Sequence, residues 1–318
     1  MKRIVTIGGG TGQFTLLSGL KKYPVELSAI VTMSDDGGST GTLRDELGVL
    51  PPGDIRQCLI ALSESDKTLR ELFLYRFESG GLKGHNFGNL LLSALEKMTG
   101  SFDKAVKMAA EILRIRGKVI PVTLDNVRLA ARFPDGRMIE HESNLGNEKI
   151  TKDTTFFLTP PSSANPEAMD AILKADAVIL GPGSFYSSLI PNLLVPGIVE
   201  SLKKTSAKKI YICNLMNKEN HTGGFKVSDY FETLSKYTNG NLFDCVVYNT
   251  ERPQEKLLSR YAEEGEFVEL GNAPQAPKFV GENLISNMLY EQKSQDPLRR
   301  TLIRHDSDKL ANIITRLL

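Results

Sequence analysis

The chain has 318 residues, about twice a typical domain length, and its 39 basic and 38 acidic side chains nearly cancel. Apolar residues make up 41% and charged residues 24%, as is usual for a globular protein. Balanced charge argues against a broad nucleic-acid surface, and no apolar run is long enough for membrane insertion. Three dispersed cysteines, Cys58, Cys213 and Cys245, suit a reducing compartment, so we expect a cytoplasmic protein.

The first elements predict a βαβ unit built around a glycine-rich loop. Residues 4–7 form an apolar run, too short for a secretion signal, which stops at Gly8-Gly9-Gly10-Thr11-Gly12. Helical spacing follows over residues 14–22, and a second apolar run over 27–32 ends just before Asp35 and Asp36. The order is therefore strand, glycine loop, helix and strand.

The rest of the chain predicts a Rossmann-like α/β fold. Residues 42–114 have mainly helical periodicity and form a predicted helical insertion. The remaining predicted elements are strands over 118–123, 127–133, 138–142, 177–180, 209–213 and 244–248, a hairpin turn at 134–137, and a terminal amphipathic helix over 306–318. We predict one domain over residues 1–318, with helices on both faces of a mainly parallel sheet and an antiparallel hairpin at one edge.

The first glycine loop indicates an anion site. Residues without a Cβ let the backbone approach a phosphate, and the free amides of the next helix point at it. A tight turn without a ligand would use the same residues. Gln13 breaks the dinucleotide-binding pattern and no Gly-Lys-Ser/Thr follows, so the loop alone establishes neither NAD nor ATP binding.

Acidic residues follow the second predicted strand. Asp35 and Asp36 are placed to bind a ribose hydroxyl pair or to hold Mg²⁺ beside a phosphate, although Asp-Asp-Gly-Gly is also good turn chemistry. Asp54 precedes a predicted helix. It is a candidate helix N-cap or a further metal ligand.

A second glycine loop predicts a crevice between strand ends. Gly181, Gly183 and Ser184 follow a predicted strand and open a helix, as the first loop does. Asn86 and Asn89, in a polar loop before another helix, are candidates to bind a base, sugar or phosphate. The sequence contains no recognisable pair of a nucleophile and a general base. The residues therefore leave open whether the protein is an enzyme or a ligand-binding protein without catalytic activity.

Several segments, in the right order along nearly the whole chain, resemble the bacterial gluconeogenesis factor family, which is related to 2-phospho-L-lactate transferase. The segments are Gly8-Gly9-Gly10-Thr11-Gly12, Ser34-Asp35-Asp36-Gly37-Gly38-Ser39-Thr40-Gly41, Leu50-Pro51-Pro52-Gly53-Asp54-Ile55-Arg56, Gly84-His85-Asn86-Phe87-Gly88-Asn89-Leu90-Leu91, Gly181-Pro182-Gly183-Ser184 with Pro191-Asn192-Leu193-Leu194, and Cys213-Asn214-Leu215-Met216. Long ordered motifs are far more specific than one glycine loop.

The resemblance implies a cytoplasmic regulator that binds UDP-N-acetylglucosamine and acts in cell shape and envelope precursor supply during gluconeogenic growth. It implies ligand contacts from the glycine loops, Asn214, and two residues nearer the chain end, Tyr261 and Arg304. The guanidinium of Arg304 suits a diphosphate because it can form bidentate hydrogen bonds to phosphate oxygens. We expect a regulated protein partner and self-association, and neither nucleic acid nor membrane as partner.

Two alternatives remain open. The first is a transferase of a phosphorylated group that uses Mg²⁺ at Asp35, Asp36 and Asp54, as the relationship to the transferase implies. The second is an NAD-binding protein, favoured only by analogy of fold. One departure from the family is the loop 217–222, which lacks a glutamate usual there and gains His221. This change puts the ligand contacts of that loop in question.

Overall fold

A large parallel sheet organises the fold of this computed structural model, which describes residues 1–255, 258, 265–286 and 303–318. Its seven strands lie in the order β10-β9-β8-β7-β1-β2-β3. The strands are β1 (Lys2–Gly8), β2 (Val25–Val31), β3 (Lys118–Pro121), β7 (Ala177–Leu180), β8 (Lys208–Ile212), β9 (Cys245–Asn249) and β10 (Lys278–Glu282). Each neighbouring pair is parallel, and central strand β7 is buried along its whole length. Burial on both faces explains the continuous apolar runs, which parallel strands need when helices cover both sides.

A small antiparallel sheet accompanies the large one. It contains β4 (Arg128–Arg132), β5 (Met138–Glu140) and β6 (Thr155–Thr159), in the order β5-β4-β6. The predicted hairpin is present as β4 and β5. It pairs with β6 in its own sheet, and the edges of the described large sheet are the parallel strands β3 and β10. The predicted fold class, a mainly parallel α/β sheet with an antiparallel hairpin, is confirmed.

Helices fill the connections between strands. They are α1 (Gly10–Leu20), α2 (Gly38–Leu47), α3 (Pro52–Leu62), α4 (Lys67–Leu74), α5 (Phe87–Thr99), α6 (Phe102–Ile112), α7 (Glu142–Leu145), α8 (Pro166–Lys174), α9 (Ile190–Leu193), α10 (Ile198–Lys204), α11 (Glu219–Thr222), α12 (Val227–Tyr237) and α13 (Ser307–Leu317), with a 3-10 turn at Gly80–Leu82 and a π turn at Phe185–Leu189. Helices α2 to α6 all lie between β2 and β3, where the helical insertion was predicted.

Local signals set several helix ends. Asn86 caps α5 by accepting from the Asn89 amide, and α5 stops at Gly100, whose φ of 66° a glycine adopts without strain. The terminal helix α13 begins after Asp306, whose carboxylate accepts from two first-turn amides. Within the described ranges, no helix is long and apolar enough to cross a membrane.

Candidate functional site

The first glycine loop joins β1 to α1 at the carboxyl edge of the large sheet. Gly10 has a φ of 62°, a left-handed conformation that a side chain would strain. Gly9 packs against the Asp54 carboxylate so closely that a Cβ would lie 2.2 Å from Asp54 Oδ2. Asp54 also accepts a hydrogen bond from the Gly10 amide. The loop and the start of α3 therefore form one packed unit.

Gln13, which breaks the dinucleotide-binding pattern, has a structural role below this loop. Its side chain is fully buried, and its Nε2 donates to the backbone oxygens of Thr6 and Ile30 at 3.2 Å and 3.0 Å. Thr6 belongs to β1 and Ile30 to β2. The amide thus ties the two strands together directly under the glycine loop, which a third glycine would not do.

The second glycine loop follows β7, the strand next to β1. Gly12 faces it directly, since a Cβ on Gly12 would lie 2.3 Å from the Pro182 carbonyl oxygen. Asn192 bridges the two loops from below: its Nδ2 donates to the Gly8 carbonyl at 3.1 Å and to the Ser188 carbonyl at 2.7 Å. The two loops that the sequence predicted separately form one continuous rim.

Asn214 extends that rim to β8. Its Nδ2 donates to the Gly183 carbonyl at 2.8 Å, which fixes the second loop. Its Oδ1 is buried and has no hydrogen-bond partner in the described part of the chain. Buried acceptors are nearly always paired, so this oxygen is suited to receive a donor from a ligand.

Asp35 and Asp36 are adjacent in sequence, but their side chains contact different parts of the fold. Asp35 Oδ1 accepts from the Gly37 amide at 3.1 Å, and its other oxygen packs against Gly53, the residue before Asp54. The Asp36 side chain is 1% exposed and pairs with Arg128 and His141 of the small sheet and its following turn. Asp35 therefore lies with Asp54 at the rim, whereas Asp36 holds another part of the fold in place.

Glu142 is an acid of this region that sequence analysis missed. It begins α7, and its carboxylate hydrogen-bonds to the Ser187 hydroxyl, which lies 2.7 Å from Ser184 Oγ beside the second glycine loop. Sequence periodicity placed Glu142 at the end of a predicted strand, and no local motif marks it. Its proximity to the loops arises only when the small sheet packs against the large one.

The carboxylates here repel one another. Burial, together with the charges of Asp35 and Asp36, raises the pKa of Glu142 to about 7. Burial and the Asp35 and Glu142 charges raise the pKa of Asp54 well above its usual range, and burial also raises that of Asp35. Acids with perturbed pKa values of this kind cluster at functional sites.

Asn86 and Asn89 support the rim from inside the protein. Both are buried; Asn86 Nδ2 donates to the Tyr75 carbonyl at 3.0 Å, and Asn89 Oδ1 accepts from Arg56 Nε at 2.8 Å. Asn89 Nδ2 also donates to Ser39 Oγ at 3.4 Å. These bonds occupy much of each amide, so a direct ligand contact from either residue stays a prediction.

Asp54 differs in one respect from the sequence prediction. Pro51 occupies the N-cap position of α3, and Asp54 lies in the first turn of that helix. Among the residues that the structure describes, no three His, Cys, Asp or Glu side chains are placed together as metal ligands. Asp36 is engaged with Arg128, so Asp35 and Asp54 are the acids that remain for a Mg²⁺ ion shared with a ligand phosphate.

The C-terminal segment packs near the β8 end of the rim. The Ser286 amide donates to the Arg304 carbonyl at 2.9 Å, and His305 hydrogen-bonds to the backbone of Cys213, the residue before Asn214. Arg304 is thus carried by a segment that contacts the loop after β8. Tyr261 lies outside the described residues.

Fold and site together define a Rossmann-like α/β protein whose polar loops gather at the carboxyl ends of parallel strands, the usual place for a ligand in such sheets. The chain belongs to the 2-phospho-L-lactate transferase CofD family, whose family model matches residues 4–277. The family assignment made from the sequence motifs is confirmed.

Relatives match over the whole chain. A protein of Thermotoga maritima is 43% identical over 321 residues, and the match covers 99% of each chain. The gluconeogenesis factor of Bacillus subtilis is 39% identical, with 99% of this chain and 98% of that protein covered. The crystal structure of a UPF0052 family protein from Bacillus halodurans has a TM-score of 0.90 at 36% identity, covering 99% of both chains.

Proposed function

We propose that this protein is a cytoplasmic regulator that binds UDP-N-acetylglucosamine at the rim that the two glycine loops form together. In this role it adjusts envelope precursor supply and cell shape during growth on gluconeogenic carbon, through a protein partner that senses ligand occupancy. The observation that carries the proposal is the convergence of the two loops, in which the Gly12 position meets the Pro182 backbone directly.

Three features support a nucleotide diphosphate as ligand. The two loops supply backbone amides beside the start of α1, where anions bind well. The buried Asn214 Oδ1 offers an acceptor next to the second loop. Arg304, on a segment that contacts the loop after β8, adds a planar cation suited to a diphosphate. The name of the Bacillus subtilis relative, gluconeogenesis factor, agrees with the proposed physiological setting.

A second candidate is a transferase of a phosphorylated group. The grouping of Asp35, Asp54 and Glu142 favours it, as does the name of the family. Asp35 and Asp54 would hold a Mg²⁺ ion that neutralises charge on the phosphoryl group. Glu142 is placed to take a proton from an acceptor hydroxyl.

A thermal-shift screen with UDP-N-acetylglucosamine, NAD and GDP, each with and without Mg²⁺, tests the leading proposal. A ligand that binds only the native state stabilises it by about 2.7 kcal/mol at 100 times its Kd. We expect a clear shift with UDP-N-acetylglucosamine that does not need Mg²⁺. A shift with NAD or GDP alone would contradict the proposal.

Mass spectrometry separates the regulator from the transferase. The protein is incubated with UDP-N-acetylglucosamine, Mg²⁺ and a metabolite extract, and the amount of intact donor is followed over time. The regulator leaves the donor intact. Catalytic loss of the donor that disappears in Asp35→Asn would establish the transferase in its place.

A further inference from the structure

Helix α7 is fixed at its start by Asp36. Asp36 Oδ1 accepts from the Ser143 amide at 2.9 Å, which satisfies one of the free N–H groups of the first helical turn. Its Oδ2 lies 3.1 Å from His141 Nδ1 and 3.4 Å from Arg128 Nη1. Arg128 is itself held by Asp45 at 2.5 Å. A buried carboxylate from the β2 loop therefore anchors the beginning of this short helix.

His221 fixes the other end of α7. Its Nε2 donates to the Leu145 carbonyl at 2.9 Å, and the Ile150 amide donates to the Asn220 carbonyl at 2.7 Å. Burial lowers the pKa of His221 to about 4, so the ring is a neutral donor at physiological pH. The loop 217–222, which departs from the family pattern, thus holds the C-terminal end of α7 through this hydrogen bond.

Between the contacts made by Asp36 and His221 the chain turns sharply, and Glu142 lies beside the second glycine loop. His141 has a φ of 76°, a left-handed conformation that is costly for a residue other than glycine and persists only when its surroundings enforce it. The next side chain, Glu142, then hydrogen-bonds to Ser187 and faces the charges of Asp35 and Lys218. The negative charge of Asp36 also raises the pKa of Glu142. The charge of Glu142 in turn raises the pKa of Asp54.

We propose that Glu142 is a ligand-binding residue that accepts a hydrogen bond from a hydroxyl of the bound nucleotide sugar, and that Asp36 and His221 are its positioning residues. This inference rests on the function proposed above. Any of the three carboxyls of Glu142, Asp35 and Asp54 that is ionised repels a phosphate group, so the phosphates belong at the loop amides. A neutral hydroxyl is the ligand group that fits this position, since it donates a hydrogen bond to a carboxyl oxygen without adding negative charge. The hydroxyl comes from the hexose or from the ribose.

Calorimetric titration of UDP-N-acetylglucosamine and of UDP into the wild type, Glu142→Gln and the exposed control Glu140→Gln tests the proposal. We expect Glu142→Gln to weaken UDP-N-acetylglucosamine binding at least about tenfold at pH 8, where the carboxyl of the wild type is ionised, as for loss of a charge-assisted bond. An unchanged affinity for UDP assigns the hydroxyl to the hexose, and an equal loss assigns it to the ribose. Equal or tighter binding of both ligands by Glu142→Gln overturns the proposal.

A double-mutant cycle tests the positioning residues. His221→Phe keeps the volume of the ring but removes its donor, so it should weaken binding by a similar factor, and the double variant with Glu142→Gln should be no weaker than Glu142→Gln alone. Additive losses would mean that His221 acts only on general stability. If His221→Phe does not fold, Asp36→Asn takes its place in the cycle.

The outcomes separate this inference from the proposed function. A wild type that binds neither ligand removes the proposed function and this inference together. A wild type that binds UDP-N-acetylglucosamine with an affinity unchanged in Glu142→Gln removes only the role of Glu142.

Discussion

The raised pKa of Glu142 gives a stability that depends on pH. Burial is the largest cause, followed by the charge of Asp35, while the Ser187 hydrogen bond and Lys218 act in the opposite direction. The carboxyl therefore keeps its proton up to about pH 7 in the folded protein, whereas its ordinary value is 4.5. Between these values the folded state binds more protons than the unfolded state.

The sign of the effect follows from this difference in proton binding. The free energy of unfolding falls as pH rises wherever the folded state holds more protons. The contribution of protonated Glu142 is complete below about pH 4.5 and is lost as pH approaches about 7. One pKa unit corresponds to about 1.4 kcal/mol, so the full shift from 4.5 to about 7 amounts to about 3–4 kcal/mol at most.

Denaturant unfolding at pH 5 and pH 8 measures this contribution. Relative to the wild type, Glu142→Gln should gain about 2–3 kcal/mol of stability on going from pH 5 to pH 8, which covers most of the titration, because its amide does not ionise. Glu140→Gln removes a carboxylate from an exposed position two residues earlier and should follow the wild type. If Glu142→Gln loses as much stability as the wild type between the two pH values, Glu142 is not the half-buried acid with a raised pKa that we describe.

Two further predictions concern residues that the sequence already marked. Arg304→Ala should weaken binding of UDP-N-acetylglucosamine at least about tenfold and Arg304→Lys less, because lysine offers a point charge and not a planar fork; equal affinities in titrations of all three proteins would remove Arg304 from the site. Asp36→Asn should lower the free energy of unfolding by about 1–3 kcal/mol, since it leaves the partly buried Arg128 with a weaker partner, and a denaturation midpoint equal to that of the wild type would contradict the anchoring role.

Sequence patterns predicted the framework well because the inner parallel strands, such as β1 and β7, are largely buried and read as apolar runs. The same patterns missed β6 and β10, which are only partly buried and lack such runs. The glycine loops were also predictable, since tight turns and close approach need glycine at fixed positions. Contact between Gly12 and Pro182, far apart in sequence, depends on β1 and β7 being neighbours in the sheet.

The different roles of the acidic residues in the site could not be predicted from the sequence. Asp35 and Asp36 have the same chemistry and adjacent positions, yet only packing of the small sheet decides that Asp36 pairs with Arg128. No local motif marks Glu142. Its position beside the second glycine loop depends on hydrogen bonds that Asp36 and His221 make to helix α7 from distant parts of the chain. Periodicity and turn chemistry report on local structure, and such long-range contacts lie outside them.

Titration of UDP-N-acetylglucosamine into the wild type, Gly12→Ala and Gly81→Ala tests most directly whether the ligand binds at the rim that the two glycine loops form. A Cβ at Gly12 meets the Pro182 carbonyl carbon and oxygen at 2.6 Å and 2.3 Å and must force the loops apart, whereas one at Gly81 meets nothing within 4 Å. Neither glycine has a left-handed φ, so alanine adds no backbone strain at either position. We predict binding by the wild type and Gly81→Ala and a loss of at least about tenfold in a folded Gly12→Ala. Equal affinity in all three proteins would contradict a ligand site at the rim of the glycine loops.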